Sequence, residues 1–287
     1  MSSYRSFAGT GVTFADFEQS EIILQSIPYD VTSTWGKGAD KGFEAFMDAA
    51  ENMELYDIET NSEVFRRGIH VAPQLTSLDL PEQMVEATYR SALKHIDTGK
   101  FPTFFGGEHS ISIGIIRAFQ ERFSNLSVLQ IDAHADLRVE YDGSKYNHAC
   151  ALHEANLHGH VIQVGIRSMD AEENKWMNRG QCYFMHDIRN MDNNWISECT
   201  KQLRDQVYIT LDLDAFDPSI MPATGTPEPG GFEWYELLSF LKKIFSKKNV
   251  VGFDIVELAP IDGLHAPQFL AAKLYYKMLS YKFENGN

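Results

Sequence analysis

The sequence predicts an α/β protein built on a parallel sheet with helices on both faces. Two observations carry this. Short apolar runs alternate with segments of helical periodicity along the whole chain, as strand–helix–strand units do. Carboxylates and histidines gather at the C-terminal ends of those runs, where ligands bind in such sheets. The 287 residues show no repeat, low-complexity tract or Pro/Gly/Ser-rich linker, so a single domain over 1–287 is expected.

The elements follow in order. Ile22 to Ile27 is an apolar run closed by Pro28, Tyr29 and Asp30, the first strand. Trp35 to Gly42 is a Gly- and Lys-rich loop, and Phe43 to Met53 has helical spacing. Glu54 to Arg66 reads as a short strand and a polar loop, and Leu75 to Leu80 as a small strand or extended approach. Pro81 opens a helix at its favoured first position; it runs to about Asp97 and ends at Thr98 and Gly99. Phe101 to Phe105 is a strand, Gly106 and Gly107 turn, and Ser110 starts a helix reaching about Phe123. A strand begins at Leu126. The loop Leu137 to Asn147 leads to His148 and a helix from about Ala149 to Asn156. Val161 to Ser168 and Cys182 to His186 are strands, and Asp192 caps a helix over Trp195 to Leu203. A strand starts at Val207, and a Pro/Gly-rich loop covers Pro218 to Gly231. Trp234 to Phe245 is amphipathic, Val250 to Leu258 is the last strand, and Ala266 to Leu279 is the closing helix.

The chemistry concentrates in three stretches. LQIDAHADLR opens as a buried strand and then places Asp132, His134 and Asp136 at every second position. On a strand these share one face. VYITLDLDAFDP repeats the pattern with Asp212 and Asp214. FFGGEHS places His109 where a strand passes into a helix. Anionic groups crowded on one face repel each other and are costly to bury, and a divalent cation removes both problems. Six such groups exceed what one small ion takes from protein and suit two metals that share carboxylates. Oxygen ligands with two imidazoles fit Mn²⁺ well; Zn²⁺, Fe²⁺ and Co²⁺ are open on residue type. Each motif alone is common by chance. Together, each at the end of an apolar run, they point to a binuclear centre.

Composition narrows the class. The net charge of −15 argues against nucleic acid and favours the approach of a cationic substrate. No apolar run has the length of a membrane span, and the N-terminus lacks a secretion pattern. Cys150, Cys182 and Cys199 are odd in number and widely spaced, which suits a reducing compartment, so a cytoplasmic location is expected.

GGEHS, DAHAD, LDLDAFDP and GTPEPGG, in this order, resemble the ureohydrolases, the family of arginases and agmatinases, over nearly the whole chain from about Ile22. The resemblance implies a three-layer α/β/α fold on an eight-stranded parallel sheet, two Mn²⁺ per subunit and a homo-oligomer, trimer or hexamer. It implies that His109 and Asp136 bind one ion, that His134 and Asp214 bind the other, and that Asp132 and Asp212 bridge. A metal-bridging hydroxide would attack a guanidinium carbon and release urea. His148 matches the position that shuttles a proton to the leaving amine, and Glu257, in DIVELAP, the position that pairs with the guanidinium. Asp254 in the same strand reads as structural, and Thr226 to Gly231 as a loop that shapes the site.

Within the family, LRVEYDGSKYNHA lacks the Ser/Asn-rich pattern of arginases and is similar to agmatinases, which implies agmatine hydrolysis to putrescine and urea, a step of polyamine biosynthesis. Glu140, Tyr141 or Asp142 would face the cationic tail. Ile261 and the segment after Asp262, which has no Thr, depart from the family pattern and bear on the substrate. Other guanidines (guanidinobutyrate, arginine) or formiminoglutamate are the alternatives within the family. A non-catalytic protein keeping the fold would need a lost ligand or a lost His148, and a one-zinc deacetylase would need different motifs.

Overall fold

Among the described residues eight strands, β1 (Ile22–Ile27), β2 (Ile69–Ala72), β3 (Phe101–Gly106), β4 (Leu126–Ile131), β5 (His160–Ile166), β6 (Cys182–Phe184), β7 (Gln206–Asp212) and β8 (Asn249–Val256), form one sheet in the order β2-β1-β3-β8-β7-β4-β5-β6, with every pairing parallel. The structure is a computed structural model, and it describes residues 5–76, 78–192 and 194–284. In chain order the α-helices are α1 (Gly42–Ala50), α2 (Pro81–Asp97), α3 (Ile111–Arg122), α4 (His153–His158), α5 (Met185–Asn190), α6 (Asn194–Gln202), α7 (Trp234–Lys247) and α8 (Ala266–Phe283).

The central strands are buried along their whole length, so their sequences are apolar runs rather than alternating ones. Residues of opposite parity enter two separate cores. On one face Leu129, Ile131, Ile209, Leu211, Phe253 and Ile255 pack with α1, α6, α7 and α8. On the other, Val128, Tyr208 and Phe104 pack with α2, α3 and α4. This is the three-layer α/β/α arrangement expected.

Three local expectations change, one unexpected strand appears, and of the two readings of Leu75 to Leu80 the extended one remains. The strand near residue 60 is a single bridge between Asp57 and Ser62, followed by a 3-10 turn at Val64–Arg67. The edge strand is β2, four residues long with its middle half-exposed, and so without an apolar run to reveal it. Residues 75, 76 and 78–80 form no strand; residue 77 lies outside the described residues. The helix after His148 is a 3-10 turn, His148–Cys150, and then the short α4. The expected strand Cys182–His186 passes into α5 at Met185. α6 begins at Asn194, and the expected cap at Asp192 is separated from it by residue 193, which lies outside the described residues.

β3, β8, β7 and β4 are the four middle strands, and every proposed ligand lies at or just past the C-terminal end of β3, β4 or β7. Glu257 directly follows β8.

Candidate active site

The turn after β3 is set by sterics. A Cβ on Gly107 would stand 1.8 Å from the Tyr29 carbonyl oxygen, so only glycine fits. Gly107 N–H donates to Ile27 O and Glu108 N–H to Tyr29 O, both at 2.8 Å, which ties the turn to the chain after β1. His109 then points into the sheet end. Glu257, at φ +68°, donates its own N–H to Gly107 O and accepts the His109 N–H on Oε1, both at 2.8 Å.

The aspartates reach the centre by a different geometry from strand alternation. β4 ends at Ile131 and β7 at Asp212. Asp212 caps a 3-10 turn, Leu213–Ala215, accepting the Asp214 N–H at 2.8 Å. Asp132 accepts the His134 N–H at 2.6 Å, and Asp136 adopts φ +53°. The i, i+2 spacing therefore works through carboxylate-capped turns.

The six groups converge. His109 Nδ1 lies 3.0 Å from Asp132 Oδ2, 3.1 Å from Asp136 Oδ2 and 3.4 Å from Asp212 Oδ2. His134 Nδ1 lies 2.8 Å from Asp214 Oδ2 and 3.7 Å from Asp132 Oδ1. Two clusters have cation-binding spacing, His109 with Asp132 and Asp212, and Asp132 with His134 and Asp214. Asp132 belongs to both.

Burial and mutual proximity shift the ionisation of every group in the cluster. Burial and the neighbouring Asp214 push Asp132 up. Burial, Asp214 and Asp132 push Asp212 well above the carboxylate range, and burial with Asp132 pushes Asp136 up to about 7. Burial also acts against Asp214, but His134 overcomes it and holds that carboxylate down to about 2. Burial pulls both histidines down; the surrounding carboxylates outweigh it and lift them, His134 to about 11.

His109 has a defined tautomer. Its Nε2 is 2.8 Å from the Thr210 hydroxyl, whose proton goes to Asp254 Oδ1 at 2.7 Å. The hydroxyl therefore accepts from Nε2–H, which leaves Nδ1 as the nitrogen that faces the carboxylates and that a cation would meet once its proton is displaced. Nδ1 is buried with no hydrogen-bond partner of proper geometry, although three oxygens surround it. A buried imidazole nitrogen ringed by three carboxylate oxygens fits a metal ion that takes the place of its proton.

A cavity of about 270 Å³ opens onto this centre, lined by His109, His134, Asp136, Asp212, Asp214 and Glu257 together with His148, Tyr141, Asp170 and Thr226. His148 is pulled down to about 4 by burial, so it is neutral at pH 7. Glu108 is fully buried and pushed up to about 7 by that burial, and Glu257 is raised well above its usual range by burial and by Glu108. Of the three residues expected to face a substrate tail, Tyr141 lines the cavity; Glu140 and Asp142 are exposed and do not line it. Arg138 at the rim stacks on Tyr141 at 4.6 Å and pairs with Asp170 at 3.4 Å.

Sequence reasoning missed Thr210 and Thr32. A threonine inside an apolar strand and another in a polar loop carry no chemical signature. Asp254 does not line the cavity but orients His109 through Thr210, held as well by Ser112 at 3.1 Å and Tyr208 at 2.6 Å. Arg167 joins two loops by donating to the carbonyls of Asp214 at 2.6 Å and Glu228 at 2.8 Å.

The arginase family model matches residues 20–280. The chain is similar to an N(1)-aminopropylagmatine ureohydrolase of Synechocystis sp., 36% identical over 92% of this chain and 90% of the relative. It is similar to an agmatinase of Bacillus anthracis, 32% identical over 92% of each. It also superposes on the crystal structure of an agmatine ureohydrolase of Thermoplasma volcanium with a TM-score of 0.88 and 28% identity, over 99% of this chain and 96% of that one.

Proposed function

The chain belongs to the arginase family and is a hydrolase of C–N bonds in linear amidines, and from that premise we propose that it converts agmatine and water to putrescine and urea. One observation carries the reading. Four buried aspartates and two imidazoles gather, with Asp132 common to both cation-binding clusters, and all of them but Asp132 line a cavity that Glu257 and His148 also line. On the family resemblance, His109 and Asp136 would hold one ion, His134 and Asp214 would hold the other, and Asp132 and Asp212 would be shared. Two Mn²⁺ per subunit suit this donor set, and when bound they supply the positive charge that makes a water nucleophilic near neutral pH.

The protein's own groups do the rest. Glu257 presents a carboxylate to the planar guanidinium and fixes its carbon in place. A guanidinium beside Glu257 supplies the charge that lets this buried carboxyl ionise. As the carbon–oxygen bond forms and the carbon–nitrogen bond breaks, the amine must gain a proton. His148, neutral at pH 7, takes that proton from water and delivers it to the leaving nitrogen. At the cavity rim Tyr141 would meet the substrate tail beside Arg138, which already engages both Tyr141 and Asp170. The same proposal includes a trimeric or hexameric assembly and a cytoplasmic place in polyamine biosynthesis. Among the described residues, no helix is long and apolar enough to cross a membrane.

A second reading is the same hydrolysis on N(1)-aminopropylagmatine, favoured by the 36% identity to a relative named for it. Urea release from Mn²⁺-loaded protein tests both. Agmatine and its aminopropyl derivative should exceed arginine and guanidinobutyrate in kcat/KM by at least about tenfold. Preference for arginine or guanidinobutyrate, or no urea from any guanidine, rejects the proposal. The ratio between the two polyamine guanidines chooses between the readings.

A further inference from the structure

We infer that Thr32 is a positioning residue for His148, holding the imidazole in the tautomer with its proton on Nδ1 so that Nε2 serves the cavity. The inference rests on the reading of His148 as the group that passes a proton to the leaving amine.

The hydrogen-bond directions decide the matter. The Thr32 hydroxyl has one proton and lies 2.7 Å from Glu108 Oε1, which also takes the Thr32 N–H at 3.0 Å. Glu108 is buried in the turn before His109, and this oxygen is an acceptor for both donors. The hydroxyl therefore gives its proton to Glu108 and has only lone pairs left for its other neighbours. Those neighbours belong to His148, whose backbone N–H is 3.0 Å away and whose Nδ1 is 3.4 Å away. An oxygen that has given up its proton can only accept, so Nδ1 must donate. The backbone and side chain of one residue are thus held by one oxygen.

The neutral ring then has its lone pair on Nε2. That nitrogen has no protein hydrogen-bond partner among the described residues, and His148 lines the cavity. Nε2 is therefore the atom that can take a proton from water and give it to the amine. In the opposite tautomer the Nδ1 lone pair would face the Thr32 oxygen, and Nε2 would offer a proton where an acceptor is needed. Tyr141 packs edge-on against the ring at 6.1 Å and limits its rotation. The loop after β1 thereby sets the protonation geometry of a residue 116 positions later.

The test uses two readouts. In ¹⁵N-labelled, metal-free protein above pH 7, two-bond ¹H–¹⁵N correlations of His148, assigned with His148→Gln, should show a protonated Nδ1 and a bare Nε2. Thr32→Val should lose that preference. In the Mn²⁺-loaded enzyme, Thr32→Val should lower kcat by roughly 10- to 100-fold with KM changed by less than about twofold, and Thr32→Ser should recover most of the rate. A wild-type spectrum with the proton on Nε2 overturns the inference whether or not any variant folds. So does a Thr32→Val enzyme with unchanged kcat and tautomer. A wild-type enzyme that releases no urea from any guanidine defeats the proposed reaction instead, and the spectrum still decides the role of Thr32.

Discussion

Thr210→Val separates the proposed metal centre from its support by exchanging one hydroxyl for a methyl, with almost no change of shape. The hydroxyl accepts from His109 Nε2 at 2.8 Å and donates to Asp254 Oδ1 at 2.7 Å, at a site with no solvent exposure. Valine fills the same volume and offers neither bond. His109 N–H is then buried without an acceptor, which costs about 1–3 kcal/mol, and Asp254 loses one of its three donors. Thr210→Val should therefore destabilise the metal-free protein by roughly 3 kcal/mol, the two losses being less than additive because they share an atom. Nothing would then hold the Nε2–H that aims Nδ1 at the ion, and Mn²⁺ affinity should fall by roughly 10- to 100-fold. Urea unfolding of chelator-stripped protein reads the first effect and calorimetric Mn²⁺ titration the second, with Thr210→Ser as the variant that retains both bonds. A Thr210→Val protein within about 0.5 kcal/mol of wild type and with unchanged Mn²⁺ affinity would falsify the tautomer argument.

Three further outcomes are expected. Glu257→Gln should lower kcat/KM by at least about 100-fold while Mn²⁺ stoichiometry stays the same, because a neutral amide cannot pair with a guanidinium; equal kcat/KM in a steady-state urea assay counts against the pairing. Gly107→Ala should yield little folded protein, since the new Cβ would lie 1.8 Å from the Tyr29 carbonyl oxygen; a circular-dichroism melt matching wild type would refute that. Burial pulls His95 down from 6.5 to about 4, with Nε2 3.0 Å from Gln25 Oε1. A folded value below the unfolded one means this contribution is complete above pH 6.5 and is lost as pH falls towards 4. At 1.36 kcal/mol per unit that is roughly 3 kcal/mol, so wild type should lose that much more than His95→Gln between pH 7.5 and 4.5 in urea unfolding, and equal losses would exclude it.

The parts of this protein legible in its sequence are those written into short spacings. Apolar runs interrupted by helical periodicity specify a parallel sheet covered on both faces, because burial on both sides demands it. The strand β2 escaped because four residues at a sheet edge, two of them half-exposed, need no such run. The aspartates were visible as a spacing, yet the reason for the spacing was not. The chain leaves β7 at Asp212, which caps the turn that brings Asp214 round, where strand alternation alone would have put both on one extended face.

By itself, then, the sequence determined the layers, the end of the sheet where chemistry lies and the residue types gathered there, since each depends on contacts within a few residues or on burial that composition records. Only the tertiary structure decided which nitrogen of His109 carries a proton, that Asp132 belongs to two clusters, and that Thr32 reaches His148. Those depend on which atoms meet between segments about a hundred residues apart, and hydroxyls and carboxylates serve so many ordinary roles that their partners leave no trace in the order of the chain.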